Sequence, residues 1–279
     1  MAKQHRDLPT FDNPPLIETA LGVQFEQLTS LDVPRLGLLY GLIRDTLPVV
    51  QQQLPLNPVI ERLGERLQQT SLSFQFSQQP PLPRCWFLDN DGERLLQVQQ
   101  DRLIWNWRKT TGERAYPRYE NDVRPRFIEY LDKFLKFLDD ERIGDFQPNQ
   151  CEVIYINHIQ AGQGWAKHAE LDKVFVGWRS SYSRDLPLEL EATHIFCRHI
   201  IYDENHEFIG RLHINIEPAF NKLDDQPMFV MTLTARGKPM GPGRDGVLKF
   251  LDLGRQHIVQ AFEAVTTPTM HDIWGKHKR

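Results

Sequence analysis

Each half of this chain carries a series of short alternating segments closed by tight turns and then one long amphipathic helix, an order that leaves few folds open. In the first half, segments 71–77, 84–88, 94–99 and 102–109 have the period-two alternation of half-buried strands. In the second half, 189–202, 208–217 and 228–236 repeat that pattern. Asp89-Asn90-Asp91-Gly92 and Asp203-Glu204-Asn205-His206 fall between neighbouring segments as hairpin turns. Strands that follow one another across tight turns pair antiparallel, so a parallel sheet is ruled out.

Each series is introduced by one more alternating strand, 16–28 in the first half and 152–159 in the second. Pro34 starts a helix with Leu36, Leu39, Tyr40, Ile43 and Leu47 at helical spacing, and Pro48 kinks or ends it. Short helical pieces are expected at 59–67 and 171–178. After Pro117 a long helix gathers Phe127, Leu131, Phe134, Leu135 and Leu138 on one face. The last helix starts near Asp245 and turns Leu248, Leu251, Ile258 and Phe262 inward. The expected fold is therefore α+β: two β-α-β(3–4)-α modules with antiparallel sheet backed by helices. The halves share a layout but little sequence. A β-α-β4-α unit used twice resembles the TATA-binding-protein-like saddle. The expected divisions are a polar arm at 1–15, modules at 16–145 and 146–265, and a tail at 266–279.

The balance of 33 Lys+Arg against 37 Asp+Glu gives a net charge of −4, which argues against general coating of nucleic acid. Cys85, Cys151 and Cys197 are odd in number, far apart and without a C-x-x-C spacing, as expected of reduced thiols in a cytoplasmic protein. No apolar run reaches the roughly 18 residues of a membrane span, and the polar start lacks the apolar core of a signal peptide.

Several constellations bear on chemistry. Gly241-Pro242-Gly243-Arg244-Asp245-Gly246 matches G-x-G-x-x-G between a strand and a helix, but no later strand completes a dinucleotide fingerprint. What remains is a turn into the helix, or an anion site built from Arg236, Lys238, Gly243 and Arg244 at the helix N-terminus. His213, Asn215 and Glu217 share one strand face. That makes His213 and Glu217 a candidate metal pair, to be completed by His158, His194 or His199, against the plainer reading of a hydrogen-bonded polar sheet face. Trp105 and Trp107 share a face with Leu103. Flanked by Arg102, Arg108 and Lys109, they have the composition of a base-stacking strand, although packing beneath Phe127, Phe134 and Phe137 is the simpler use. There is no G-x-S-x-G, and Ser180-Ser181 has no adjacent base, so no catalytic residue is assigned. In the tail, Met270, His271, Ile273 and Trp274 follow the last helix where chains normally turn polar. They either pack on the body or dock in a partner's groove.

Pro14-Pro15-Leu16-Ile17-Glu18 with Val23-Gln24-Phe25, Asp101–Trp107, Val153–Ile159, Gly210-Arg211-Leu212-His213, Phe250-Leu251-Asp252 and Thr266–Trp274 resemble a sporadically distributed bacterial family of uncharacterised proteins of roughly this length. The T-x-x-M-H-x-x-W-G tail is its most specific part. The resemblance runs nearly end to end and implies a full-length unit; it carries over no catalytic residue and no cofactor. Sporadic occurrence is typical of defence and toxin–antitoxin genes. The expected function is a non-catalytic binding or regulatory protein acting on another protein in such a setting. A nucleic-acid or nucleotide-binding protein and a metal-dependent hydrolase are the alternatives.

Overall fold

The computed structural model describes residues 8–62, 82–110, 115–178, 188 and 190–277. The expected strand at 71–77 and the Ser180-Ser181 pair lie outside the described residues. Among the described residues nine strands form one antiparallel sheet: β1 (Leu16–Phe25), β2 (Val49–Gln53), β3 (Arg84–Leu88), β4 (Arg94–Gln99), β5 (Arg102–Arg108), β6 (Pro148–Gln160), β7 (Ile195–Tyr202), β8 (Phe208–Phe220) and β9 (Pro227–Gly237). Their order is β2-β3-β4-β5-β1-β6-β9-β8-β7. The α+β class follows, as the alternation required. The two halves are not separate sheets, because β1 pairs with β6 from Leu16↔Asn157 to Phe25↔Pro148.

Alternation along the strands creates two unlike faces. Leu21, Val23 and Phe25 of β1, Leu103, Trp105 and Trp107 of β5, and Val153 and Tyr155 of β6 point to one side and are buried. Three helices cover that side: α1 (Val33–Ile43), α2 (Arg124–Asp140) and α4 (Gly243–Val265). Trp105 stacks on Tyr130 of α2 at a ring separation of 4.8 Å, and Tyr40 of α1 stacks on Phe87 of β3 at 5.8 Å. The indoles are therefore core and present no stacking surface to a base.

Local chemistry sets the helix ends. Asp32 caps α1 by accepting from the Arg35 amide at 3.1 Å, and Pro34 occupies the first turn, where a missing N–H costs nothing. One π-helical turn, Tyr119–Val123, precedes α2. The expected helix at 171–178 is a single α-turn, α3 (Leu171–Val174), entered through the 3-10 turn His168–Glu170. The expected helix at 59–67 does not form in its described part: residues 59–62 are irregular. α1 ends at Ile43, five residues before Pro48, so Leu47 lies beyond the helix and Pro48 is not what stops it; the chain then turns into β2, an edge strand the sequence reading did not anticipate.

The Gly241–Gly246 loop is explained by packing. A Cβ on Gly246 would collide with the carbonyl oxygen of Gly241, and the Met240 amide donates to the Gly246 carbonyl at 2.9 Å. The obstruction is backbone and cannot swing aside. Gly246→Ala is expected to destabilise the protein by about 1–3 kcal/mol, read as a lower urea midpoint with an unchanged slope.

Candidate functional site

The face away from the helices carries a row of polar side chains in cross-strand register: Gln99↔Arg102, Arg102↔Gln24, Gln24↔Gln150 and Arg236↔Arg211. A strap, residues 54–62, crosses this row from β4 to β8. Pro55 and Pro58 hold it extended, since proline fixes its own φ and disfavours helix in the residue before it. Its backbone amides then need partners, and side chains of the sheet supply them.

Gln99 grips Leu56 through both amide atoms, donating to its carbonyl at 2.8 Å and accepting from its N–H at 2.9 Å. Gln24 does the same to Val59, at 2.8 and 3.0 Å. Arg102 donates to the Asn57 carbonyl at 3.0 Å, and Gln150 accepts from the Glu61 amide at 2.9 Å. A glutamine amide offers one donor and one acceptor, as a peptide group does, so these pairs read main chain and not sequence.

Glu61 is the one buried charge on the strap. Arg211 donates to Oε2 at 2.7 Å, the His213 ring lies 2.5 Å from Oε1, and Arg236 stands 3.6 Å away while also pairing with Glu152. Burial by itself raises the Glu61 carboxyl. The hydrogen bonds from His213 and Arg211 and the nearby charges outweigh it and hold the group at about 2. The strap's apolar side chains, in contrast, face outward: Leu54 is 82% and Ile60 56% exposed.

The residues singled out from sequence are dispersed. His213 is spent on Glu61, and Glu217 accepts from Asn215 at 2.7 Å. Four residues of strand separate His213 from Glu217, about 13 Å, too far to share one ion. His199 pairs with Leu212, and alternation turns it to the helical side, away from His213. Among the described residues no three His, Cys, Asp or Glu side chains converge as a metal site would need. The four residues of the candidate anion site are also not brought together. Arg236 lies on the strap face, whereas Arg244 leaves the start of α4 to pair with Asp132 of α2 at 2.5 and 3.0 Å. Gly243 opens α4, and Lys238 continues β9 by donating its amide to the Ile209 carbonyl. Burial pushes the Cys85 and Cys151 thiols up, leaving them unreactive.

The tail forms a short helix, α5 (Pro268–Ile273), capped by Thr267. Met270, His271 and Trp274 are buried on the chain's own body, and Ile273 is partly exposed. Phe11 of the arm packs between Phe262, His271 and Trp274 at 5.4, 5.7 and 6.3 Å, and its backbone bridges to Lys276. Glu61, Gln24, Gln99 and Gln150 were missed from sequence. The only available signal was glutamine at alternate positions of apolar strands, where a buried amide demands a partner.

Two outcomes are expected. A chain stopped at Val265 should lose at least about 3 kcal/mol of stability, since removing Trp274 alone empties an aromatic site in the core; chemical denaturation checks this. Glu61→Ala should cost about 3 kcal/mol at pH 7, because Arg211 and Arg236 are left facing each other with one fewer partner. The folded carboxyl is depressed, so this contribution is present above the ordinary carboxylate range and is lost as pH falls toward about 2. The gap between wild-type and variant urea midpoints should therefore shrink between about pH 4.5 and pH 2. Compared with protein-family models, curated proteins and solved structures, the chain finds no match in any of the three.

Proposed function

We propose that the protein is a non-catalytic binding or regulatory protein that acts on another protein, and that it does so by holding an extended segment with an acidic side chain on the polar face of its sheet. The observation that carries this reading is the strap. It is bound the way a partner segment would be: two glutamines clasp its main chain, and Arg211, His213 and Arg236 receive one carboxylate. In this reading the strap is an internal stand-in for the partner. With its apolar side chains turned to solvent, little hydrophobic burial holds it in place. An incoming segment can remake the same polar contacts one for one.

The recognition is assigned to the sheet face and not to Met270, His271 and Trp274, because those three side chains are already used in the chain's own packing. We further read the two halves as one module used twice and the sheet as a TATA-binding-protein-like saddle. Support comes from the strand order, in which the first strand of each half lies at the centre and the others run outward in mirrored sequence, β5-β4-β3-β2 against β9-β8-β7.

The test uses the whole chain with positions 54–62 replaced by glycine and serine, titrated with a labelled peptide of the strap's own sequence. Salt-sensitive binding is expected, about ten-fold weaker when the peptide carries glutamine in place of the glutamate. No binding to a folded variant, or equal binding of the two peptides, would sink the reading.

A further inference from the structure

The strap has a period of its own. Its sequence runs Leu54-Pro55-Leu56-Asn57-Pro58-Val59-Ile60-Glu61, with the prolines three residues apart. Leu56 and Val59, the two residues clasped at both N–H and C=O, are also three apart. Each directly follows a proline, so each is the first residue after it with an N–H to donate.

A period of three excludes a β-strand. Successive residues of a strand turn their N–H and C=O groups to opposite edges, so residues three apart face opposite ways. Gln99 and Gln24 nevertheless reach Leu56 and Val59 from one and the same sheet face. In a polyproline II helix three residues complete a turn, and residues i and i+3 present their peptide groups in the same direction. Pro55 and Pro58 set their own φ near that of polyproline II, and each biases the residue before it toward extended backbone. Such a segment has no internal hydrogen bonds, so its amides and carbonyls are open to reading from outside.

The sheet matches this repeat. Gln99 of β4 and Gln24 of β1 lie in one line, with Arg102 of β5 between them. Two strand spacings come to about 9.6 Å, and one polyproline II turn advances about 9.3 Å. Arg102, on the intervening strand, takes the Asn57 carbonyl. Gln150 of β6, one strand beyond Gln24, takes the Glu61 amide. Leu56 to Glu61 thus spans three strand spacings, about 14.4 Å, against about 15.5 Å for five residues at the polyproline II rise. Among the described residues no acceptor meets the Asn57 or Ile60 amide. Asn57, Pro58, Val59 and Ile60 are exposed and Glu61 is buried, so side-chain selection falls on the carboxylate.

We infer that the partner segment taken by this face is a polyproline II segment of the form P-x-x-P-x-x-E. The inference rests on the functional reading above and names the class of segment. Proline-rich ligands commonly dock in aromatic-lined grooves. Here strand-borne amides read the main chain at the three-residue repeat. The carboxylate sets the direction, because Arg211, His213 and Arg236 stand at one end of the row.

The test has two arms. In the intact chain, amide hydrogen exchange should find Leu56, Val59 and Glu61 protected and Asn57 and Ile60 fast. Protection at every second residue would overturn the inference. In the chain with positions 54–62 replaced by glycine and serine, three labelled peptides are titrated: the strap sequence, its Pro55→Ala/Pro58→Ala form and its Glu61→Gln form. The alanine peptide keeps every clasped amide and the carboxylate and loses only the preset backbone. It is expected to bind about ten-fold more weakly, because proline narrows the conformations of the free chain. Equal or tighter binding of the alanine peptide, with glutamate still preferred to glutamine, would overturn this inference and leave the functional reading standing. No binding of any peptide to the folded variant would overturn both. If that variant does not fold, the exchange pattern of the intact chain decides.

Discussion

The pairing of β1 with β6 is the contact on which the rest depends. Each half alone would present a long central strand with a full row of unpaired amides, an invitation to aggregation. Joining the two edges satisfies those groups and fuses two short sheets into one of nine described strands. The same seam sets Gln24 beside Gln150 on one face and, on the other, turns Tyr155 into the wall of a cavity between α4 and the arm at Pro9–Pro14. Both the polar row and the cavity are products of this register. A shift by one residue would turn every side chain of β6 to the wrong face.

The two faces are held by different forces. Under the helices, Trp105, Phe134, Phe250 and their neighbours are closed off from water, and apolar burial dominates. On the other face the strap is fixed by amide pairs and a single carboxylate among Arg211, His213 and Arg236, with its apolar side chains exposed. Polar contacts of this kind contribute about 1 kcal/mol each and trade readily for equivalent ones. A segment held this way is suited to exchange, whereas the helical layer is not.

Arm and tail give the fold its closure. Phe11 and Trp274 come from opposite ends of the chain and meet over Phe262 of α4. This contact accounts for apolar residues where termini usually turn polar, and it builds one wall of the cavity.

Much of the architecture was legible. Period-two alternation identified eight of the strands now described, and the 3.6-residue spacing of Phe127, Leu131, Phe134 and Leu138 identified the long helix, because both patterns are local consequences of burying one side of an element. The edge strand β2, with exposed Val49 and Val50 among glutamines, has no such pattern and was missed. The strap resembled a helix start, since nothing local in Pro58-Val59-Ile60-Glu61 announces that its amides will be met by Gln24 and Gln150, dozens of residues away. The candidate site was legible only as an unusual supply of strand glutamines and arginines. The sequence by itself determined which residues alternate, which faces are apolar and where helices begin, because those depend on neighbours along the chain. Only the tertiary structure decided that His213 meets Glu61 and not Glu217, that His199 turns away, and that Tyr116, Tyr155 and Arg255 converge, because strand order and register set which distant side chains become neighbours.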